Sequence, residues 1–137
     1  MRVADRLHSA SIHLLRRLRA RDRESGIGPA QLSALSVLVF GGPKSLAELA
    51  DAEQVKPPTM SRIVAGLARA KLVKTEATKE DARRIRIVPT AKGQKVMWEG
   101  RQRRVEMLAE LLRELSPQEI QKLGEIAEVM DGISRKL

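Results

Sequence analysis

Residues 72–89 form the one stretch of this chain in which side-chain character alternates; on either side, apolar residues recur with helical spacing. Lys74, Glu76 and Thr78 alternate with Thr75 and Ala77, and Arg84, Arg86 and Val88 alternate with Ile85 and Ile87. Successive side chains of a strand point to opposite faces, so this pattern predicts two short strands. The polar run Lys79-Glu80-Asp81-Ala82-Arg83 joins them into a hairpin, and Pro89 ends the second. The expected fold class is therefore mainly α with one small β-hairpin.

The helices around the hairpin carry their own punctuation. Val3, Leu7, Leu14, Leu15 and Leu18 make a stripe that predicts a first helix to about Arg23, broken by Ser25-Gly26-Ile27-Gly28. Pro29 then suits a first helical position, and a second helix runs to about Phe40 before Gly41-Gly42-Pro43. Ser45-Leu46-Ala47-Glu48 reads as a capping box in which Ser45 accepts a first-turn amide and Glu48 reaches back to the Ser45 amide. It opens a short third helix to about Asp51. Pro57 and Pro58 open a fourth, ending near Ala70. Thr90 can cap a fifth that reaches about Leu115. Ser116-Pro117-Gln118-Glu119 is a second capping box, and the last helix carries Ile120, Leu123, Ile126, Ala127, Met130, Ile133 and Leu137 on one face.

Charge narrows the function. The 137 residues carry 26 Lys and Arg against 17 Asp and Glu, a net of +9. Residues 57–95 hold ten basic and three acidic side chains, whereas residues 96–137 hold seven and eight. A basic middle lobe suits a polyanion such as nucleic acid. With no cysteine, disulfides, thiolate metal sites and thiol-based redox sensing are excluded. His8 and His13 stand five residues apart on different faces of a helix, a poor basis for a metal site. No cofactor is expected. No nucleophile–base–acid set, Gly-rich phosphate loop or carboxylate pair stands out, so an enzyme is not expected. No run of about 18 apolar residues predicts a membrane span, and the charged N-terminus does not read as a secretory signal. The expected location is the cytoplasm.

Two short helices followed by a hairpin make a winged helix-turn-helix. The second of them, about Pro57–Ala70, can lie in the major groove, where base edges present a distinguishing pattern. Met60, Ile63, Val64 and Leu67 mark its core face. Lys56, Pro58, Thr59, Ser61 and Arg62 mark the face for phosphates and bases, with Arg62 the candidate for bidentate guanine reading. In the wing, Arg83, Arg84 and Arg86 can approach the minor groove, whose negative potential attracts arginine. Asp81 can hold the Arg83 guanidinium or pin the turn backbone.

Residues 28–93 closely resemble the MarR family of multiple-antibiotic-resistance regulators. Four segments carry the resemblance: Gly28-Pro29-Ala30-Gln31-Leu32; Ser45-Leu46-Ala47-Glu48-Leu49-Ala50; Pro58-Thr59-Met60-Ser61-Arg62-Ile63-Val64 with Leu67 and Lys71-Leu72-Val73; and Asp81-Ala82-Arg83 followed by Thr90-Ala91-Lys92-Gly93. The resemblance implies a homodimer whose terminal helices interlock and whose two winged lobes straddle a palindromic operator. It implies that Arg83 is the wing arginine, Asp81 its supporting acid, and Lys56, Pro58, Thr59, Ser61 and Arg62 the recognition-helix contacts. Residues 1–27 and 91–137 would then be dimerisation helices flanking a DNA-binding lobe at 28–90. The residues themselves also favour a dimer: Leu7, Leu14, Leu108, Leu111, Leu112, Leu115, Ile120, Leu123, Ile126, Met130 and Ile133, with Val105, form apolar stripes with few partners in so short a chain. An intramolecular three-helix cluster is the alternative.

Many members of the resembled family bind small, often aromatic, anionic effectors. Here one Phe, one Trp and no Tyr leave little aromatic stacking for such a pocket, though His13, Arg16 and Trp98 could line one. The leading expectation is a sequence-specific, double-stranded-DNA-binding transcription regulator acting as a repressor, with an effector of unknown identity possible. A winged-helix protein-interaction adaptor and an architectural nucleic-acid-binding protein are the alternatives. Sparse aromatics disfavour single-stranded binding.

Overall fold

A computed structural model describes residues 2–21 and 26–136. In chain order it contains α1 (Arg2–Arg21), α2 (Pro29–Gly41), α3 (Leu46–Ala52), α4 (Pro57–Arg69), β1 (Val73–Ala77), β2 (Ile85–Pro89), α5 (Ala91–Leu112) and α6 (Pro117–Ser134). The expected class, mainly helical with one antiparallel hairpin, is what forms. Two compact units result: a winged unit, Asp22–Gln102, and a helical unit, Met1–Arg21 with Arg103–Leu137. α5 contributes its first part to the former and its last ten residues to the latter.

The core lies in the winged unit. Ala34, Leu35 and Leu38 of α2, Leu49 and Ala50 of α3, and Met60 and Leu67 of α4 are buried with Leu72, Val73, Ile87 and Met97. Ile63 and Val64 pack against this cluster, so the face expected to turn inward on α4 does so. The hairpin pairs Val73 with Pro89, Thr75 with Ile87 and Ala77 with Ile85. Both strands sit one residue from the alternation read in the sequence, because Val73 and Pro89 extend the ladder into the core. Lys44 adds a one-residue third strand: its N–H donates to the Ile87 carbonyl at 3.2 Å, and the Ile87 N–H donates back at 2.7 Å.

Helix ends explain most boundaries. α2 stops where Gly42 takes φ 86° and its N–H bonds the Leu38 carbonyl, a conformation that costs glycine little. α3 and α4 end without glycine. Gln54 (φ 54°) and Lys71 (φ 61°) take the left-handed conformation instead, and Val55→Ala50 and Leu72→Leu67 amide bonds close the two turns.

The two capping boxes differ. At α6 both halves form: Glu119 N–H donates to Ser116 Oγ at 3.3 Å, and Ser116 N–H donates to Glu119 Oε2 at 2.9 Å. At α3 only one half forms, Glu48 N–H to Ser45 Oγ at 3.1 Å. The Ser45 amide does not receive the Glu48 carboxylate, which corrects the sequence expectation. The strand-like tie of the preceding residue Lys44 to Ile87 is what sets the entry of this helix.

α5 ends at Leu112, three residues before the expected Leu115. Glu114→Leu111 and Leu115→Leu112 amide bonds tighten the last turn so that the chain can reverse into the Ser116 cap. The expected extension of the first helix through Asp22 and Arg23 lies outside the described residues, as does Leu137.

Candidate nucleic-acid interface

α4 is presented by what grips its two ends. At its start, Lys56 takes an extended conformation and Pro57 and Pro58 occupy the first helical positions. Proline loses nothing there, since those amides have no partner in the helix. At its end, the Thr90-Ala91-Lys92-Gly93 segment ties the helix to α5. Thr90 Oγ1 donates to the Lys71 carbonyl at 2.7 Å and accepts from the Gly93 N–H at 3.0 Å, while Lys92 Nζ donates to the Ala70 carbonyl at 3.0 Å. Gly93 is needed because any Cβ there would run into the Leu72 carbonyl oxygen. Three residues that read as a sequence signature thus act as a clamp on the C-terminal end of α4.

Between these grips, Met60 and Leu67 are fully buried, and the outward residues Lys56, Pro58, Thr59, Ser61 and Arg62 are all exposed. No salt bridge among the described residues neutralises Lys56 or Arg62. The helix therefore offers cationic and hydroxyl groups on one side of a rigidly packed rod.

The hairpin tip is closed by short-range bonds. Thr78 Oγ1 donates to the Asp81 carbonyl at 2.7 Å and accepts from the Asp81 N–H at 3.1 Å. Asp81 Oδ1 accepts from the Arg83 backbone N–H at 2.9 Å, and the amides of Arg84 and Thr78 bond the carbonyls of Asp81 and Arg84. Of the two roles open to Asp81, the one present is pinning the turn backbone. The Arg83 guanidinium has no acidic partner among the described residues. Asp81 thus fixes where the Arg83 Cα sits and leaves the charge free.

Arg84 and Arg86 diverge. Arg84 is exposed near the tip, whereas Arg86 is half-buried with its Nε enclosed and without a hydrogen-bond partner. Arg86 and Arg84 share a cleft of 500 Å³ with Lys44, a residue that sequence reasoning passed over. Nothing in the local sequence marks Lys44; its place beside the wing follows from the long-range bridge to Ile87. Trp98 meets Phe40 edge-on at 5.2 Å and 81°, with Arg101 5.7 Å over its ring.

In the helical unit the expected apolar stripes lie in the open. Leu14, Leu111, Ile120, Leu123, Ile126, Met130 and Ile133 are exposed, and Leu7, Leu108, Leu112 and Leu115 are half-buried. Val3, Leu7 and Ala10 of α1 and Ile126, Met130 and Ile133 of α6 line a groove of 710 Å³.

A buried three-helix core carrying an exposed basic helix and a pinned basic hairpin defines the class: a winged helix-turn-helix protein. The MarR family profile matches residues 25–84. An uncharacterized HTH-type transcriptional regulator of Mycobacterium leprae is 35% identical over 115 residues, covering 84% of this chain and 80% of the relative. An HTH-type transcriptional regulator of Mycobacterium tuberculosis is 34% identical over 129 residues, covering 94% and 90%. The fold is similar to the crystal structure of a transcriptional regulator from Thermotoga maritima, with a TM-score of 0.84 at 23% identity over 99% of this chain and 96% of that one. The chain belongs to the MarR family of helix-turn-helix transcriptional regulators. Among the described residues no helix is long and apolar enough to cross a membrane.

Proposed function

We propose that this protein is a cytoplasmic, homodimeric repressor that binds a palindromic duplex operator, with α4 reading the major groove and the wing entering the minor groove. The carrying observation is the exposed face of α4: Lys56, Pro58, Thr59, Ser61 and Arg62 stand opposite a fully buried Met60 and Leu67. A helix held so rigidly and left uncompensated in charge suits base edges and phosphates. The wing adds a second cation, Arg83, on a backbone fixed by Asp81. The apolar stripes of α1 and α6 supply a surface for a second copy, and a two-fold protein suits an operator with two half-sites. A bound dimer would act by occluding the promoter.

Selection of bound duplexes from a random pool tests this reading, with variants compared at one salt concentration. The expected result is a palindromic motif, found upstream of the regulator's own gene. Loss of a bidentate base contact costs about 1–3 kcal/mol at one position, so Arg62→Ala should flatten one column of each half-site. Arg83→Ala should weaken binding across sequences and change A·T preference only in the flanks, because A·T and T·A look alike in the minor groove. Asp81→Ala should resemble a milder Arg83→Ala. Recovery of no motif would return the protein to an adaptor or architectural role. Loss of a central half-site base in Arg83→Ala, with every column intact in Arg62→Ala, would reverse the roles of helix and wing.

A further inference from the structure

The cleft beside the wing brings together three cations from segments 40 residues apart in the chain: Lys44 before α3, and Arg84 and Arg86 of the wing. Ser45, Thr78 and Glu48 complete its polar lining. One carboxylate against three cations leaves an excess of positive charge, and no salt bridge among the described residues reaches Lys44, Arg84 or Arg86. The Arg86 Nε is enclosed with no acceptor, and a buried donor left unsatisfied is costly. A group rich in acceptor oxygens would offset that charge excess, while the enclosed Nε itself lies out of an incoming group's reach.

The hydrogen-bond inventory says which groups remain free to donate. Thr78 Oγ1 already donates to the Asp81 carbonyl, so it has no proton to offer. Ser45 Oγ accepts from the Glu48 amide and keeps its own O–H. Lys44 is held in place by its backbone pair with Ile87, and no ion pair among the described residues holds its ammonium. The free donors are therefore one hydroxyl, one ammonium and two guanidinium groups.

We propose that this cleft seats a phosphate of the duplex backbone, so that Lys44, Arg84 and Arg86 position the protein on DNA and do not read its sequence. The proposal rests on the DNA-binding reading above. The choice of a backbone phosphate over a soluble anion follows from topology: α3 is the first helix of the helix-turn-helix, the one that crosses the backbone while its successor lies in the groove. Arg86 is accordingly separated from the wing tip in function as well as in exposure, with Arg83 left as the groove-entering residue.

Lys44→Gln and Arg84→Gln test the seat, with circular dichroism to check folding and Lys122→Gln as a charge-matched control outside the winged unit. Lys44 pairs with Ile87 through main-chain atoms alone and Arg84 is exposed, so both variants should fold. Affinity for the selected duplex is measured from low to high salt. Each phosphate contact contributes about 1 to the slope of log affinity against log salt. The expected result for Lys44→Gln is a slope lowered by about 1 for each half-site, every motif column unchanged, and no such change in the control. A slope equal to that of the wild type in both variants, with duplex binding intact, would overturn the seat and leave the DNA-binding reading standing. An altered motif column would overturn it in favour of base reading. Calorimetric binding of inorganic phosphate to the DNA-free protein, abolished by Lys44→Gln while that variant keeps the wild-type salt slope on the duplex, would overturn the duplex as its source. Failure of the wild-type protein to bind any duplex would overturn the DNA-binding reading itself, and the seat with it.

Discussion

The two units bury their apolar residues to very different degrees. In the winged unit Ala34, Leu35, Leu49, Met60 and Leu67 are wholly inaccessible. In the helical unit no described side chain is buried, and Ile126 and Ile133 are 49% and 48% exposed. The sequence is apolar enough in both. The difference is that α2, α3 and α4 converge on one another and on the hairpin, whereas the stripes of α1 and α6 border an open groove. Removing apolar area from water is the main favourable contribution to folding, so the winged unit has its own source of stability. The helical unit, whose apolar residues are at most half-buried among those described, has much less of it until something covers it, and the proposed cover is a second copy.

The contrast can be broken most forcefully at Ile126. A symmetric interface contains each residue twice, and burying an Ile contributes about 1.5–3 kcal/mol. Ile126→Asp should therefore shift a dimer to monomer in light scattering and abolish any dependence of the melting temperature on protein concentration. A wild-type protein already monomeric at micromolar concentration, with Ile126→Asp melting alongside it, would show that the helical unit stands without a partner.

Next in size is Leu35→Ala. Its side chain is wholly buried in α2, and such truncations cost about 2–5 kcal/mol. Because the cavity lies inside one chain, the lowered stability of the winged unit should leave the monomer–dimer equilibrium of the folded protein nearly unchanged. Chemical denaturation followed by Trp98 fluorescence gives the first quantity and light scattering the second. Equal losses in both would erase the distinction between the units.

The smallest effect concerns the α6 cap. The amide and hydroxyl of Ser116 bond the Glu119 carboxylate and hold its pKa below the ordinary carboxylate value. A folded-state pKa below the unfolded one gives stability that is present above the unfolded value and lost as pH falls through the folded one. Helicity should thus decline on acidification below about pH 4, and Glu119→Gln should remove that part of the decline. The group is exposed, so the change should be slight, seen as a difference between the circular dichroism acid titrations of the two proteins. Identical acid profiles would mean that the cap contributes nothing measurable to the helical unit.

Much of the fold and of the candidate interface was legible in the sequence by itself. The switch of period at 72–89 determined the hairpin, Pro29, Pro57 and Pro117 marked helix starts, and Met60, Ile63, Val64 and Leu67 marked the inner face of α4 and so its outer one. These are local properties: backbone preference and side-chain direction act over a few residues, and a few residues suffice to read them. Tertiary structure decided the rest. It placed Lys44 beside Arg84 and Arg86 through a pairing with Ile87 43 residues away, and it gave Asp81 the Arg83 amide as its partner in place of the guanidinium. It also made Thr90, Lys92 and Gly93 a clamp on α4, and it left the Ser45 cap half formed. Each of these depends on which distant backbone atoms come within hydrogen-bonding distance, and that is fixed by how the elements pack, since spacing along the chain carries no record of it.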